Sequence, residues 1–489
     1  MAGSPAEESF ERSREAFGQV QEWLAGPEAA GLDHAAVEEE LSARGREVQR
    51  LLLQDHLDAR AAAEPRLAQV SGPDGVTRTR AERGHARSLA SVFGPVRVTR
   101  IAYRAPGSLN VHPADGQLNM PAGKHSHGLA KMVASAAAAG SLGRACAQVR
   151  DRTGCTLGTR QAQQLARAAA ADFEDFYAGR RRPPAAAPGD VLVLSCDAKG
   201  IMVRPGELRP RSARLAAKAV PKQDGRLSRG EVRTRKRMAE VAAVFDLTPV
   251  PRTTHDILGP GPRRPGPQAA GKWLTASVAA DAADVIAAAF AEAGRRDPAQ
   301  ERTWIALADG NKDQIAWITA QAAARGITIP VIIDLIHVLE YLWDAAWSFF
   351  PEASPDAAPW VRDRAAAILD GRAADVAAAL RAAAAALPAA NRKTAEKTAR
   401  YLDAKAPWLD YPAALANGWP ISTGVIEGAC RHLVKDRMDI TGARWGVQTA
   451  EAILKLRALH ANGDFDEYWT YHLHREHQRN HPPGYTLAA

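Results

Sequence analysis

The sequence predicts an α/β domain built on a sheet with parallel strands, carrying an all-α insertion and preceded by a mainly helical N-terminal region. Three observations predict it. The runs "VLVLSCD", "TWIALAD" and "ITIPVIID" are continuously apolar, the pattern of strands buried on both faces. "QIAWITAQAAAR", residues 314–325, has the length and spacing of a helical crossover between the second and third runs, which a parallel connection requires. From residue 338 to about 420 the chain reads as helix after helix, through "WVRDRAAAILDGRAADVAAALRAAAAAL" and "NRKTAEKTARYLDAKAPWLD".

Taken in order, residues 1–90 read as Ala/Glu/Arg-rich helices, and "VEEELSARGREVQRLLLQDHL" spaces its apolar positions helically. This is a packing or oligomerisation region. Residues 91–178 open on "FGPVRVTRIAYRA", which alternates like a strand and suggests a small hairpin. Further on, Leu142, Ala145, Cys146 and Val149 recur at helical spacing, the chain breaks around Gly154 to Gly158, and Ala162, Leu165, Ala166 and Ala169 repeat the interval. Two short helices across a turn, near 141–170, form a helix-turn-helix candidate. Thr159 suits the N-cap of the second, which turns Arg160, Gln161, Gln164 and Arg167 outward, residue types suited to base edges and phosphates. A plain helical hairpin with a solvated face reads equally well. "GRRRPPAAAPGD", residues 179–190, is a Pro/Arg-rich linker.

The α/β part begins at residue 191 and its first section runs to 337. "IMVRP" and "EVAAVFDLTP" are strand-like and can form a hairpin with the first apolar run. Each of the three runs ends in an aspartate: Asp197, Asp309 and Asp334. Parallel neighbours bring strand ends together, and carboxylates clustered at a sheet edge of a basic protein suit a divalent cation acting on phosphate. Aspartate also caps helices that follow strands, so each of the three has that alternative. His337 lies three residues after Asp334, on one face once a helix has begun. In residues 421–489, Ser422 to Gly424 offer a helix start with Glu427 in the first turn, where a dipole or capping role is the alternative to chemistry.

Composition bounds the function. The 489 residues are 46% hydrophobic and 24% charged, ordinary for a soluble globular protein, while a net charge of +8 and pI near 9.4 point to a polyanionic partner. The basic stretch between Arg204 and Arg237, with Arg233, Arg235, Lys236 and Arg237 at its end, is read as contacting a DNA backbone, a solvated loop being the alternative. Cys146, Cys155, Cys196 and Cys430 form no CxxC pair, which fits a reducing cytosol. No signal peptide or membrane-spanning run is recognised, so neither export nor insertion is expected.

The order of "LSCDAKG", "ALADGNKDQ", "IIDLIHVLEYLW" and "STGVIEGACRHLVKDRMDITGARW", with a helical block before the last, resembles the DDE transposases of bacterial insertion sequences, most closely the ISKra-type family related to Mutator-like transposases. The likeness covers roughly residues 189–469. It implies a ribonuclease-H-like core in which Asp197, Asp309 at the end of the fourth strand, and Glu427 hold two Mg²⁺ (or Mn²⁺) ions for DNA cleavage and strand transfer. It implies that Asp334 and His337 match a C/D-x-x-H signature, as neighbours of the ligands or as DNA contacts, with Asp334 as a third ligand in place of Glu427 the remaining alternative. Arg431, Lys435 and Arg444 fall in the last motif as DNA-binding residues. The implied partners are duplex DNA with terminal inverted repeats, target DNA, and a second or further copies of the chain, in the nucleoid-associated cytoplasm of a bacterium. Paired cysteines expected near Tyr103 are replaced by "YRAPGSLNVHPADG", so zinc is not expected there. A DNA-binding regulatory protein on a retired scaffold, or a nuclease without strand transfer, are the competing functions.

Overall fold

The computed structural model describes residues 10–180, 190–218, 236–261, 264–440 and 442–481. The chain divides into two compact units, one of residues 10–176 with 463–481, the other of 177–462. Among the described residues no helix is long and apolar enough to cross a membrane.

The first unit begins with helices α1 (Glu11–Ala25) and α2 (His34–Ala63). Asp55 of α2 ties them by accepting from Arg12 Nε at 2.8 Å and from Ser13 N at 3.0 Å. After a two-residue ladder, β1 (Val70–Ser71) with β2 (Thr77–Arg78), comes a long antiparallel hairpin of β3 (Arg80–Ser91) and β4 (Gly94–Arg104). The helical reading of residues 1–90 is therefore corrected: helix stops at Ala63. "RAERGHARSLAS" shows no alternation because Leu89 is its single large apolar residue, so its partner β4, and not its own pattern, makes it a strand.

Helices α3 (His127–Ala139), α4 (Leu142–Thr153) and α5 (Thr159–Ala169) then pack around Leu129, Val133, Val149, Cys155, Leu157 and Ala162. α4 ends on Gly154 at φ +72°, a left-handed cap that costs glycine nothing. The N-cap of α5 is Gly158 and not Thr159: the Gly158 N–H donates to Gln161 Oε1 at 2.9 Å, so Gln161 closes the helix start. The final helix, Phe465–Asn480, belongs to this unit and not to the α/β part. Its hold is a buried carboxylate, Asp172, which accepts from Arg479 Nη1 at 2.6 Å and Nη2 at 2.8 Å and lies 2.6 Å from His472 Nδ1.

The second unit is mixed α/β. Its sheet has strands β5 (Val191–Met202), β6 (Lys236–Leu247), β7 (Ala269–Ser277), β8 (Trp304–Ala308) and β9 (Val331–Ile333), in the spatial order β7-β6-β5-β8-β9. β5, β6 and β7 are antiparallel neighbours, while β8 and β9 run parallel to β5. The apolar run of β5 is buried from Val191 to Cys196, as continuous apolarity demands of a central strand. Helix α6 (Pro210–Lys218) follows β5, α7 (Ala282–Arg296) packs on β5 and β6, and α8 (Lys312–Ala323) is the crossover from β8 to β9. The third apolar run yields only three strand residues, and β7 has no sequence signal of comparable strength.

Beyond β9 the chain is helical: α9 (Leu335–Phe349), α10 (Ala357–Leu369), α11 (Ala373–Ala385) and α12 (Ala389–Lys405) pack as successive neighbours. After a short helix at Tyr411–Ala416 comes α13 (Gly424–Ala429), continued as a π-helical turn over Cys430–Lys435, and then α14 (Val447–Ala461), which packs on β7. The turn between these last helices returns to the sheet, with Trp445 N donating to Met202 O at 3.0 Å.

Candidate functional site

Strand register assembles the aspartates. β5 and β8 pair in parallel up to Ser195 opposite Leu307, so two residues further Asp197 stands level with Asp309. β8 and β9 pair up to Ala308 opposite Ile333, and Asp334 N donates to Ala308 O at 2.9 Å, which brings Asp334 level with Asp309. Three carboxylates therefore stand level across three adjacent parallel strands, spaced by roughly 4.8 Å per strand; Asp309 and Asp334 follow the ends of β8 and β9, whereas Asp197 does not end its strand, since β5 runs on to Met202 against β6.

They are not equivalent. Asp197 is part-buried; its Oδ1 accepts from Ala198 N at 2.6 Å and its Oδ2 lies 3.4 Å from Cys430 Sγ on the π-helical turn. Burial first, and then the charge of Asp309, push its carboxyl above the ordinary 3.8. Asp309 accepts from Asn311 N at 2.8 Å through Oδ1. Asp334 is 3% exposed and both its oxygens are engaged: Oδ1 by Ile336 N at 2.9 Å as the cap of α9, Oδ2 by Thr423 Oγ1 at 2.5 Å. The capping alternative holds for this residue, and its burial, with both oxygens bonded inside the chain, closes it off from DNA.

Thr423 links Asp334 to the third expected ligand. Its hydroxyl lies 3.4 Å from Glu427 Oε1, but one proton serves one acceptor, and the 2.5 Å contact to Asp334 takes it. Leu335 N also donates to Ile421 O at 2.9 Å, so the start of α9 and the approach to α13 are fastened twice. Glu427 is exposed, one turn before Cys430, and residues three apart share a helix face, so it projects from the side of α13 that meets Asp197. π-helical turns inside α-helices recur at functional sites.

His337 does not bond Asp334 among the described residues. Its Nδ1 lies 3.1 Å from Glu340 Oε2, and its ring meets those of Tyr341 and Tyr401 edge-on. Tyr401 of α12 was not foreseen from the sequence. Its ring stacks on Tyr341 at 3.9 Å, and its hydroxyl, buried and without a hydrogen-bond partner among the described residues, overhangs Gly310, where an added Cβ would come within 3.2 Å of it. Gln314, at the start of α8, is a second such residue: its Nε2 donates to Cys196 O at 2.7 Å, next to Asp197, and its Oε1 has no partner among the described residues. The "DGNKDQ" segment was the only signal for it.

Hard oxygen donors on Asp197 and Asp309, the first raised in pKa by burial and then by the charge of the second, suit Mg²⁺ or Mn²⁺. Among the described residues, however, no three His, Cys, Asp or Glu side chains stand close enough together to hold a metal ion.

The expected DNA contacts divide as well. Arg160, Gln161, Gln164 and Arg167 all lie on the exposed face of α5, although Gln161 is engaged in the cap. Arg431, Lys435 and Arg444 are exposed. Lys236 is exposed and 3.5 Å from Asp439. Arg237 is corrected: its guanidinium donates to the carbonyls of Val278 at 2.7 Å, Glu207 at 3.1 Å and Ala279 at 3.2 Å, so it clamps its own chain. Arg233 and Arg235 lie outside the described residues. No family model matches the chain, and no curated protein matches it.

Proposed function

We propose that the chain is a DDE-type DNA transposase whose second unit is a ribonuclease-H-like core with an all-α insertion. The observation that carries the reading is the level pairing of Asp197, within β5, with Asp309, at the end of the adjacent parallel strand β8, in a sheet whose chain-order strands run 3-2-1-4-5. Asp197 and Asp309 are the residues that would hold Mg²⁺ or Mn²⁺, with Glu427 the third from α13. Two such ions, when bound, activate the attacking oxygen and stabilise the departing one at phosphorus. The chain's own part is to hold the carboxylates in place, through Asp334 and Thr423 on one side and Ala198 N and Cys430 on the other. In this reading α4 and α5 act as a helix-turn-helix on terminal inverted repeats, further copies of the chain pair the two ends with target DNA, and the protein works on the nucleoid in a bacterial cytoplasm.

The test is cleavage and joining of duplex DNA taken from the flanks of the gene, with Mg²⁺ or Mn²⁺. Asp197→Ala and Asp309→Ala should each abolish both while DNA binding persists. The absence of a close group of three ligands among the described residues favours a second reading, a DNA-binding regulatory protein on a retired transposase scaffold. Parent protein that binds DNA but never cuts it would establish that reading, and cutting without joining would indicate a nuclease.

A further inference from the structure

The β3–β4 hairpin carries six arginines, Arg80, Arg83, Arg87, Arg97, Arg100 and Arg104, against a single acid, Glu82. Their surroundings separate them. Arg100 is buried against Asp115 at 2.8 Å and Arg104 meets Glu82 at 2.7 Å, so both are neutralised within the unit. Arg87 is half-buried, its Nη2 on the carbonyls of Pro121 and Gly123, each at 2.7 Å. Arg97 differs. Its side chain is exposed and bonds nothing among the described residues, while its backbone is pinned by Gln54: Arg97 N donates to Oε1 at 2.7 Å, and Gln54 Nε2 donates to Arg97 O at 2.9 Å.

The register sets small residues around it. Arg97 pairs with Ser88, Thr99 with Ala86 and Pro95 with Ala90, so the outward face of the hairpin is low on either side of the guanidinium. Arg50 of α2, Gln54, Arg87, Ser88, Pro95 and Arg97 line an open groove of about 480 Å³. Of its three arginines Arg50 has a carboxylate partner, Glu47, at 2.6 and 2.8 Å. A second acid, Asp58, accepts from Gln54 Nε2 at 2.9 Å but is itself paired with Arg12 at 2.6 Å. A shallow floor edged by guanidiniums, with both nearby acids already paired, matches a ligand that presents several phosphates at its surface.

We propose that this groove holds the phosphate backbone of duplex DNA, as a second contact beside α5. The hairpin is one packed body with the helix pair: Ala90 N donates to Lys124 O and Ser126 N to Ala90 O, each at 2.8 Å, Cys155 Sγ lies 3.2 Å from Ser91 O, and Ala90 and Val92 pack into the core of α3, α4 and α5. A phosphate gripped by Arg97 therefore fixes the angle at which α5 meets the duplex, the positioning role that backbone contacts have. Duplex DNA is favoured over an acidic protein segment because the groove shares its unit with the outward Arg160, Gln164 and Arg167. The inference rests on the DNA-binding part of the proposed function and is independent of catalysis.

The test is the salt dependence of full-length protein binding to a random-sequence duplex. Arg97→Gln alone, and with Arg50→Gln, should reduce the slope of log K against log salt by about 0.9 for each phosphate no longer neutralised, on every sequence alike. Arg97→Lys should keep the parent slope, since the charge remains. Arg97 is exposed, so its single variant should melt with the parent and stay interpretable if the double variant does not fold. An unchanged slope in folded Arg97→Gln overturns the proposal. So does poly-glutamate that displaces the duplex and loses its own affinity in that variant while DNA affinity stays, which would make the groove an acidic-protein site. Failure of the parent to bind any duplex would instead remove the DNA-binding reading beneath it.

Discussion

Thr423→Val removes one hydroxyl and nearly nothing else, and it tests the joint on which the candidate site is hung. That hydroxyl donates to Asp334 Oδ2 at 2.5 Å, in a place where Thr423 is 5% and Asp334 3% exposed. Water cannot take over the missing bond, so the carboxylate keeps one donor, Ile336 N, and loses the other. Hydrogen bonds to charged groups are worth about 1.5–3 kcal/mol, and a buried acceptor left short of a donor bears its desolvation cost as well. A loss of about 2 kcal/mol follows, or roughly 4–8 °C in melting temperature at 2–4 °C per kcal/mol. The assay is thermal and denaturant unfolding of the parent, Thr423→Val, Asp334→Asn and the double variant. Thr423→Ser, which keeps the hydroxyl, should stay near the parent. The two positions should couple by about 1–2 kcal/mol in the double-mutant cycle, because they share one bond. A Thr423→Val cost below about 0.5 kcal/mol with no coupling would refute the reasoning. Asp334 would then be a plain helix cap, and the placement of α13 would need another cause.

Asp309→Asn keeps the acceptor for Asn311 N but removes the charge that, after burial, holds the Asp197 carboxyl above 3.8. A carboxyl raised in the folded state contributes stability that is present at low pH and lost as pH rises through its folded value, so the variant should gain about 0.5–1 kcal/mol at pH 7 and nothing below pH ~3.8. Melting curves across that range check it, and a gain that persists in acid contradicts it. Mg²⁺ should raise the melting temperature of the parent and not of Asp309→Asn; equal shifts would place the ion elsewhere. Gly310→Ala should cost ~1–3 kcal/mol, since φ is +93° and the new Cβ would press within 3.2 Å of the Tyr401 hydroxyl, and a neutral result would show that the corner gives way. On α5, Arg160→Ala with Gln164→Ala should erase preference for element ends in competition gel shifts at unchanged stability, whereas Gln161→Ala should cost ~0.5–1 kcal/mol through its cap. Retained preference in the first variant would make α5 a packing helix.

Much of the fold was legible because it is written in short-range period and punctuation. Continuous apolarity in "VLVLSCD" and "TWIALAD" marked β5 and β8, helical spacing marked α4, α5 and α8, and the helical block after His337 is there, opening three residues earlier at Leu335. Elements whose identity depends on a partner were not legible. β3 has one large apolar residue, Leu89, and is a strand because β4 bonds it; β7, with Gly271 and Lys272 inside it, is held by β6. The helix Phe465–Asn480 joins the first unit through Asp172, about 300 residues away in the chain.

The same division runs through the candidate site. By itself the sequence determined that Asp309 and Asp334 end strands and that Glu427 opens a helix, because apolar runs and helix starts are set by neighbours within a few residues; Asp197 ends an apolar run but not its strand, which β6 carries on to Met202. Only the tertiary structure decided that Asp197 and Asp309 stand level, that Asp334 is spent on Ile336 N and Thr423, and that Tyr401 and Gln314 bring buried polar atoms beside them. Strand order and register are settled by hydrogen bonds and packing between segments far apart in the chain. Asp334 and Thr423 are 89 residues apart, and no local pattern at either one encodes the bond that joins them.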